Sequence, residues 1–143
     1  MNSIQKFILK KCPEYDFNQY HFKFGDVVEI KDGARVFVIE SCLTYVRAFI
    51  LRSSFKYRRF QYARVPYVDL PYYAAGAFKS EALPVLKSLR WRVGAVVHDE
   101  WGLDVLLTEE QDNGFVGYVV SKDSKYYGTG VFVMNPYRDY IQN

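Results

Sequence analysis

Residues 22–28, Phe22-Lys-Phe-Gly25-Asp-Val-Val, return 69 positions later as Trp91-Arg-Val-Gly94-Ala-Val-Val. The offset persists: Gly33 falls on Gly102, Val36 on Val105, Glu40 on Glu109, Ala48-Phe-Ile-Leu51 on Gly117-Tyr-Val-Val120 and Lys56-Tyr57 on Lys125-Tyr126. One inserted residue then shifts the offset to 70 and aligns Pro66-Tyr67-Val-Asp69 with Pro136-Tyr137-Arg-Asp139. A fixed period with matching glycines is the mark of two copies of one supersecondary unit. The chain is therefore expected to build the same small β unit twice, and the places where the copies differ point to function.

Within each copy the apolar residues come in short Val- and Ile-rich runs broken by turn residues. Asp26–Ile30, Ala34–Glu40, Thr44–Leu51 and Arg58–Val65 are predicted strands of the first copy, with Lys31-Asp32-Gly33 a hairpin turn and Pro66 a stop. Ala95–Asp99, Leu103–Thr108, Phe115–Val120 and Thr129–Met134 are their counterparts, with turns at Glu100-Trp101-Gly102 and at Gln111-Asp-Asn-Gly114. Asn-Gly supplies the positive φ angles that a two-residue hairpin needs. Residues 3–11, with Ser3 as N-cap and Ile4, Phe7 and Ile8 on one face, read as a short helix. A second helix is expected in the connector from Ser80 to Leu89, where Ala82, Val85, Leu86 and Leu89 recur at helical spacing.

The resulting expectation is a mainly β chain of two small barrels. Residues 1–21 are a helical lead-in, 22–69 the first barrel, 70–90 the connector and 91–143 the second barrel. The segments Phe22-x-x-Gly25-Asp-Val-Val, Asp32-Gly33 and Val36-x-Val38 resemble the first hairpin of SH3-like barrels of the Tudor and KOW kind. That resemblance implies two similar small SH3-like barrels of an internal duplication. Gly25-Asp-Val-Val and Arg35-Val-Phe-Val-Ile-Glu-Ser41 are also similar to growth-arrest ribonuclease toxins with that barrel. Arg35 is followed by Val36 where those toxins carry Arg-Pro, so no catalytic residue is carried over.

Charge separates the copies. Residues 22–69 hold nine Lys and Arg against five Asp and Glu, and residues 91–139 hold four against eight. The formal net charge of +3 thus conceals a basic half and an acidic half. From Ser41 to Val68 no carboxylate occurs, while Arg47, Arg52, Lys56, Arg58, Arg59 and Arg64 do. Aromatics interleave with these cations in Phe55-Lys-Tyr-Arg-Arg-Phe-Gln-Tyr-Ala-Arg64. On an extended strand Lys56, Arg58, Phe60, Tyr62 and Arg64 share one face. Cations neutralise phosphates and aromatic rings stack on bases. Arg52, Lys56, Tyr57, Arg58, Arg59, Tyr62 and Arg64 are accordingly candidates for contacting RNA or single-stranded DNA.

A second reading makes the chain an interaction protein, an adaptor or inhibitor of the kind phages and viruses carry. It would engage a host protein through Trp101, Glu109, Glu110 and Asp112, or associate with itself, basic half to acidic half. A third is a toxin-like endoribonuclease with Arg58 or Arg59 stabilising a phosphorane and Glu40 or Asp69 as base.

Other chemistry has little support. His98-Asp99-Glu100 invites a metal reading, but His21 is the one other histidine. No further ligand spacing accompanies it, so no metal is expected. Gly128-Thr-Gly130 lacks the Lys-Ser/Thr ending of a phosphate loop, and no cofactor motif is present. Cys12 and Cys42 stand outside any C-x-x-C and read as free thiols. Without a secretory leader or an apolar run long enough to span a bilayer, a cytoplasmic location with no membrane partner is expected.

Overall fold

A computed structural model describes residues 3–11, 13, 22–71, 74–83 and 91–136. Cys12, His21 and most of the expected connector helix lie outside these residues. Ser80–Ala82, at its start, forms a 3-10 turn. The chain divides into two compact units, Met1–Phe78 and Lys79–Asn143.

The first unit opens with helix α1 (Ser3–Lys11), in which Ser3 is the first helical residue rather than its cap. Five antiparallel strands follow: β1 (Asp26–Glu29), β2 (Arg35–Ser41), β3 (Tyr45–Arg52), β4 (Tyr62–Pro66) and β5 (Gly76–Ala77), in the order β4-β3-β2-β1-β5. Period-two alternation sets the core. Val28, Val36, Val38, Val46, Ala48, Ile50 and Val65 point to one face, where they meet Phe22, Tyr57, Tyr67 and Leu70. Each such aliphatic side chain contributes about 2 kcal/mol on burial. An exposed ion pair contributes at most about 1 kcal/mol, so the apolar face holds the unit together. On the opposite face the Phe37 ring is met edge-on by Phe24 and Phe78, with centroids 5.1 and 5.0 Å away.

The second unit has β6 (Val96–His98), β7 (Asp104–Gln111), β8 (Gly114–Val119) and β9 (Gly130–Met134), paired in chain order. Ala95, Val97, Val105, Leu107, Phe115, Val119 and Val133 form its core, with Trp91 packed against them.

The two sheets repeat one pattern of pairing. Val28 faces Val36 as Val97 faces Val105, and Val38 faces Ala48 as Leu107 faces Gly117. Both second strands bulge at the same place, between Val38 and Glu40 and between Leu107 and Glu109. The Gly25 N–H reaches Val38 O as the Gly94 N–H reaches Leu107 O.

Four expectations about the sheets need correction. First, the sheets are open: among the described residues neither closes on itself. In the first, β5 occupies the free edge of β1 through Asp26–Ala77 and Val27–Gly76 pairs, which bars that edge to β4. Second, the last strands align at an offset of 68, not 70: Val46–Val65 corresponds to Phe115–Val133 and Tyr45–Pro66 to Gly114–Met134. Pairing register, not the shared prolines, sets the equivalence.

Third, the fourth strand begins at Tyr62 rather than Arg58. Residues 53–61 are a loop, because Ser54 Oγ accepts the Lys56 and Tyr57 N–H groups and Phe60 takes a positive φ of 61°. Fourth, the two-residue hairpin turn is Asp112-Asn113, flanked by the Gln111–Gly114 pair. Gly114 is a strand residue, placed where a methyl group would meet the backbone of Val133 and Met134.

Candidate functional site

The first sheet gathers a stripe of rings and cations along β3 and β4. Residues two apart on a strand share a face, so Tyr45, Arg47 and Phe49 line up beside Pro66, Arg64 and Tyr62, their cross-strand partners. The Arg64 guanidinium sits over the Tyr45 ring, 5.3 Å from its centroid. The stripe continues into the loop: Phe60 lies flat on Phe49, with centroids 5.9 Å apart and planes 9° apart. Arg59 covers Phe60 at 4.2 Å. Tyr62 meets Phe49 at 5.7 Å, tilted by 61°. A positive φ strains Phe60 by about 1 kcal/mol relative to glycine. Its counterpart by register is Gly128, also at positive φ, and both donate a backbone N–H to the preceding strand, at Ile50 O and Val119 O. The strained backbone holds an aromatic ring in the first unit where the second has none.

The seven candidate residues therefore divide. Arg59, Tyr62 and Arg64 belong to the stripe, with Arg58 exposed on the adjoining loop. Among the described residues none of these three arginines has a carboxylate partner within ion-pair distance. Arg52, Lys56 and Tyr57 serve other ends. Arg52 donates to Gly33 O at 2.8 Å and pairs with Glu29 at 3.2 Å. Tyr57 is buried in the core. Its hydroxyl is 3.4 Å from Asp69, which also binds Lys56 Nζ at 2.8 Å. The expected shared face of Lys56, Arg58, Phe60, Tyr62 and Arg64 does not form, because a loop carries the first three.

Burial, reinforced by the Asp69 charge, raises the Tyr57 pKa even though Lys56 opposes it. The hydrogen bond to Asp69 raises that of Lys56. Burial raises that of Tyr67, whose hydroxyl donates to Cys42 O.

The candidate residues read from the sequence leave out Tyr45, Arg47 and Phe55. Tyr45 and Arg47 enter the stripe only once the β3–β4 register is known, and no sequence motif specifies that register. Arg47 is partly neutralised by Glu40, at 3.6 Å. Phe55, fully exposed beside Lys56, was legible as an aromatic within the basic run.

The second sheet offers no such stripe. At the places of Arg47 and Arg64 it has Val116 and Phe132, and at that of Tyr62 it has Gly130. Glu109, Glu110 and Asp112 are exposed around the β7–β8 turn, without an ion pair among the described residues. Trp101 is 78% exposed in its turn. Asp99 stabilises that turn by accepting the Trp101 and Leu103 N–H groups at 2.9 and 2.8 Å. His98 faces Asp104, Nδ1 to Oδ1 2.8 Å, so neither His98 nor Asp99 converges with Glu100 on a common point. No group of His, Cys, Asp and Glu among the described residues could hold a metal. The candidate bases of the nuclease reading are both engaged, Glu40 by Arg47 and Asp69 by Lys56. No described helix is long and apolar enough to cross a membrane. Against known families, curated proteins and solved structures, the chain gives no match.

Proposed function

We propose that the first unit is a non-enzymatic module that grips RNA or single-stranded DNA along the β3–β4 stripe and the loop before β4. One observation carries this reading: Arg59 and Arg64 lie on aromatic rings with no carboxylate within ion-pair distance among the described residues, at positions where the second sheet has no cation. A guanidinium stacked on a ring keeps its edge free for bidentate contact with a phosphate. Tyr62 and Phe55 supply ring faces for bases. The charge is modest, so binding is weak and salt-sensitive. Three phosphate contacts to a single strand give a slope of about −2 in log K against log salt.

Fluorescence anisotropy with labelled single strands at two salt concentrations tests this. Replacing Arg58, Arg59 and Arg64 by Ala should abolish binding, whereas Lys56→Ala, already tied to Asp69, should leave it largely intact. Unchanged binding by the triple variant overturns the proposal. The shared register and bulge further support descent of both units from one SH3-like module, with binding retained in one copy.

The second unit favours a different reading of its own, a contact with a basic protein. Its support is Trp101, exposed in a turn stabilised by Asp99, and Glu109, Glu110 and Asp112, which have no ion pair among the described residues. Exposed aromatics and charges of one sign mark such contacts. Glu109→Lys with Glu110→Lys should release a captured partner, and undiminished capture would remove this face from consideration.

A further inference from the structure

Among the described residues the two sheets end in equivalent edge strands that are protected differently. In β4 the Ile50 N–H binds Gln61 O and the Tyr67 N–H binds Thr44 O. Hydrogen-bonded pairs recur at every second residue of an antiparallel ladder, so Tyr62, Arg64 and Pro66 turn their backbone groups outward. An arginine in the middle and a proline without N–H at the end stop such an edge from pairing with another strand. In β9 the bracketing bonds are Val119 N–H to Thr129 O and Asn135 N–H to Asn113 O. Gly130, Phe132 and Met134 therefore turn outward. Phe132 and Met134 occupy the places of Arg64 and Pro66, and they are 50% and 67% exposed. Both protective devices are missing from β9, which has no charge along its length.

Charge is laid out in a self-complementary way around this edge. Glu109, Glu110 and Asp112 lie around the β7–β8 turn, at the Met134 end, where Gly114 pairs with Met134. Lys122 and Lys125, with Asp123 between them, lie in the loop at the Gly130 end, and all three are exposed.

We propose that β9 pairs antiparallel with β9 of a second copy of this chain, about a two-fold axis at Phe132. Phe132 then lies opposite its own mate and Gly130 opposite Met134, so every outward N–H and C=O of the strand finds a partner. The same geometry brings the carboxylates of one copy alongside Lys122 and Lys125 of the other, at both ends of the ribbon. A two-fold contact of this kind is closed and does not propagate into fibres. It joins the two four-stranded sheets into one continuous sheet. The buried surface is small, below the roughly 1,000 Å² of a tight interface, so the dimer is weak and appears only at high concentration.

Sedimentation velocity over a concentration series tests this, and it does not rest on the nucleic-acid reading. The parent chain should pass from monomer to dimer as concentration rises. Phe132→Arg with Met134→Pro, which copies the protection of β4, should remain monomeric while keeping the far-ultraviolet circular dichroism of the parent. Phe132→Arg alone, at an exposed site, should weaken the dimer at least tenfold if the proline disturbs folding. Lys122→Glu with Lys125→Glu and, separately, Glu109→Lys with Glu110→Lys should each weaken self-association, and mixing the two variants should restore a heterodimer. Replacing Arg58, Arg59 and Arg64 by Ala should leave the dimer intact, which separates this contact from one between basic and acidic halves. A parent chain that stays monomeric throughout, or a Phe132→Arg variant that dimerises as well as the parent, overturns the proposal.

Discussion

Gly117 and Ala48 occupy equivalent positions in the two sheets, yet they are not interchangeable. Ala48 is fully buried and its methyl group is part of the first core. A methyl group on Gly117 would run into Leu106 O and lie 2.7 Å from Val105 Cγ1. Backbone cannot yield as a flexible side chain does, so Gly117→Ala should destabilise the protein by about 2 kcal/mol through overpacking. Denaturant unfolding checks this; a variant as stable as the parent would mean that β7 and β8 can separate at little cost. The sequence showed the pairing of Gly117 with Ala48 through the repeat. It could not show which of the two positions tolerates a side chain, because that depends on how closely neighbouring strands approach. Phe60 was hidden in the same way: nothing in a run of aromatics and cations marks one residue for a positive φ.

At the level of elements, the repeat made the strands legible where Val and Ile alternate, and all eight predicted strands correspond to observed ones. Arg58–Val65 was the least well placed, because its first half is polar and its backbone is drawn away by local hydrogen bonds. The loop over residues 53–61 is tethered from outside the stripe. Ser54 Oγ donates to Asp32 at 2.7 Å, and Asp69 holds Lys56 and Tyr57. These two carboxylates fix the loop that carries Arg58 and Arg59. Asp69→Asn should therefore speed tryptic cleavage after Arg58 and Arg59 severalfold, since proteolysis follows the population of opened loop. Peptide mapping gives the rates; equal rates in parent and variant would show that Asp69 does not restrain the loop.

For the whole molecule, alkaline pH is the informative stress. Tyr57 and Tyr67 have raised pKa values in the folded chain, chiefly through burial, while in the unfolded chain their phenols ionise near 10.0. Stability from this source is complete below about pH 10 and declines as pH rises toward the folded values, since ionisation then favours the unfolded state. Lys56, raised by Asp69, acts in the same direction. Denaturant unfolding from pH 8 to pH 11 should show the decline, and Tyr57→Phe with Tyr67→Phe should flatten it. The opposite charges of the halves were readable from composition. Open sheets in place of barrels were not, because closure depends on what fills each edge. Here β5 decides it: the strand sits beyond the repeat, and Phe78 just after it meets the Phe37 ring edge-on. A fragment ending with the repeat at Asp69 would thus lose its edge strand and uncover an aromatic. The smallest piece of this chain able to stand as a separate folded body in its first half must run on to Phe78.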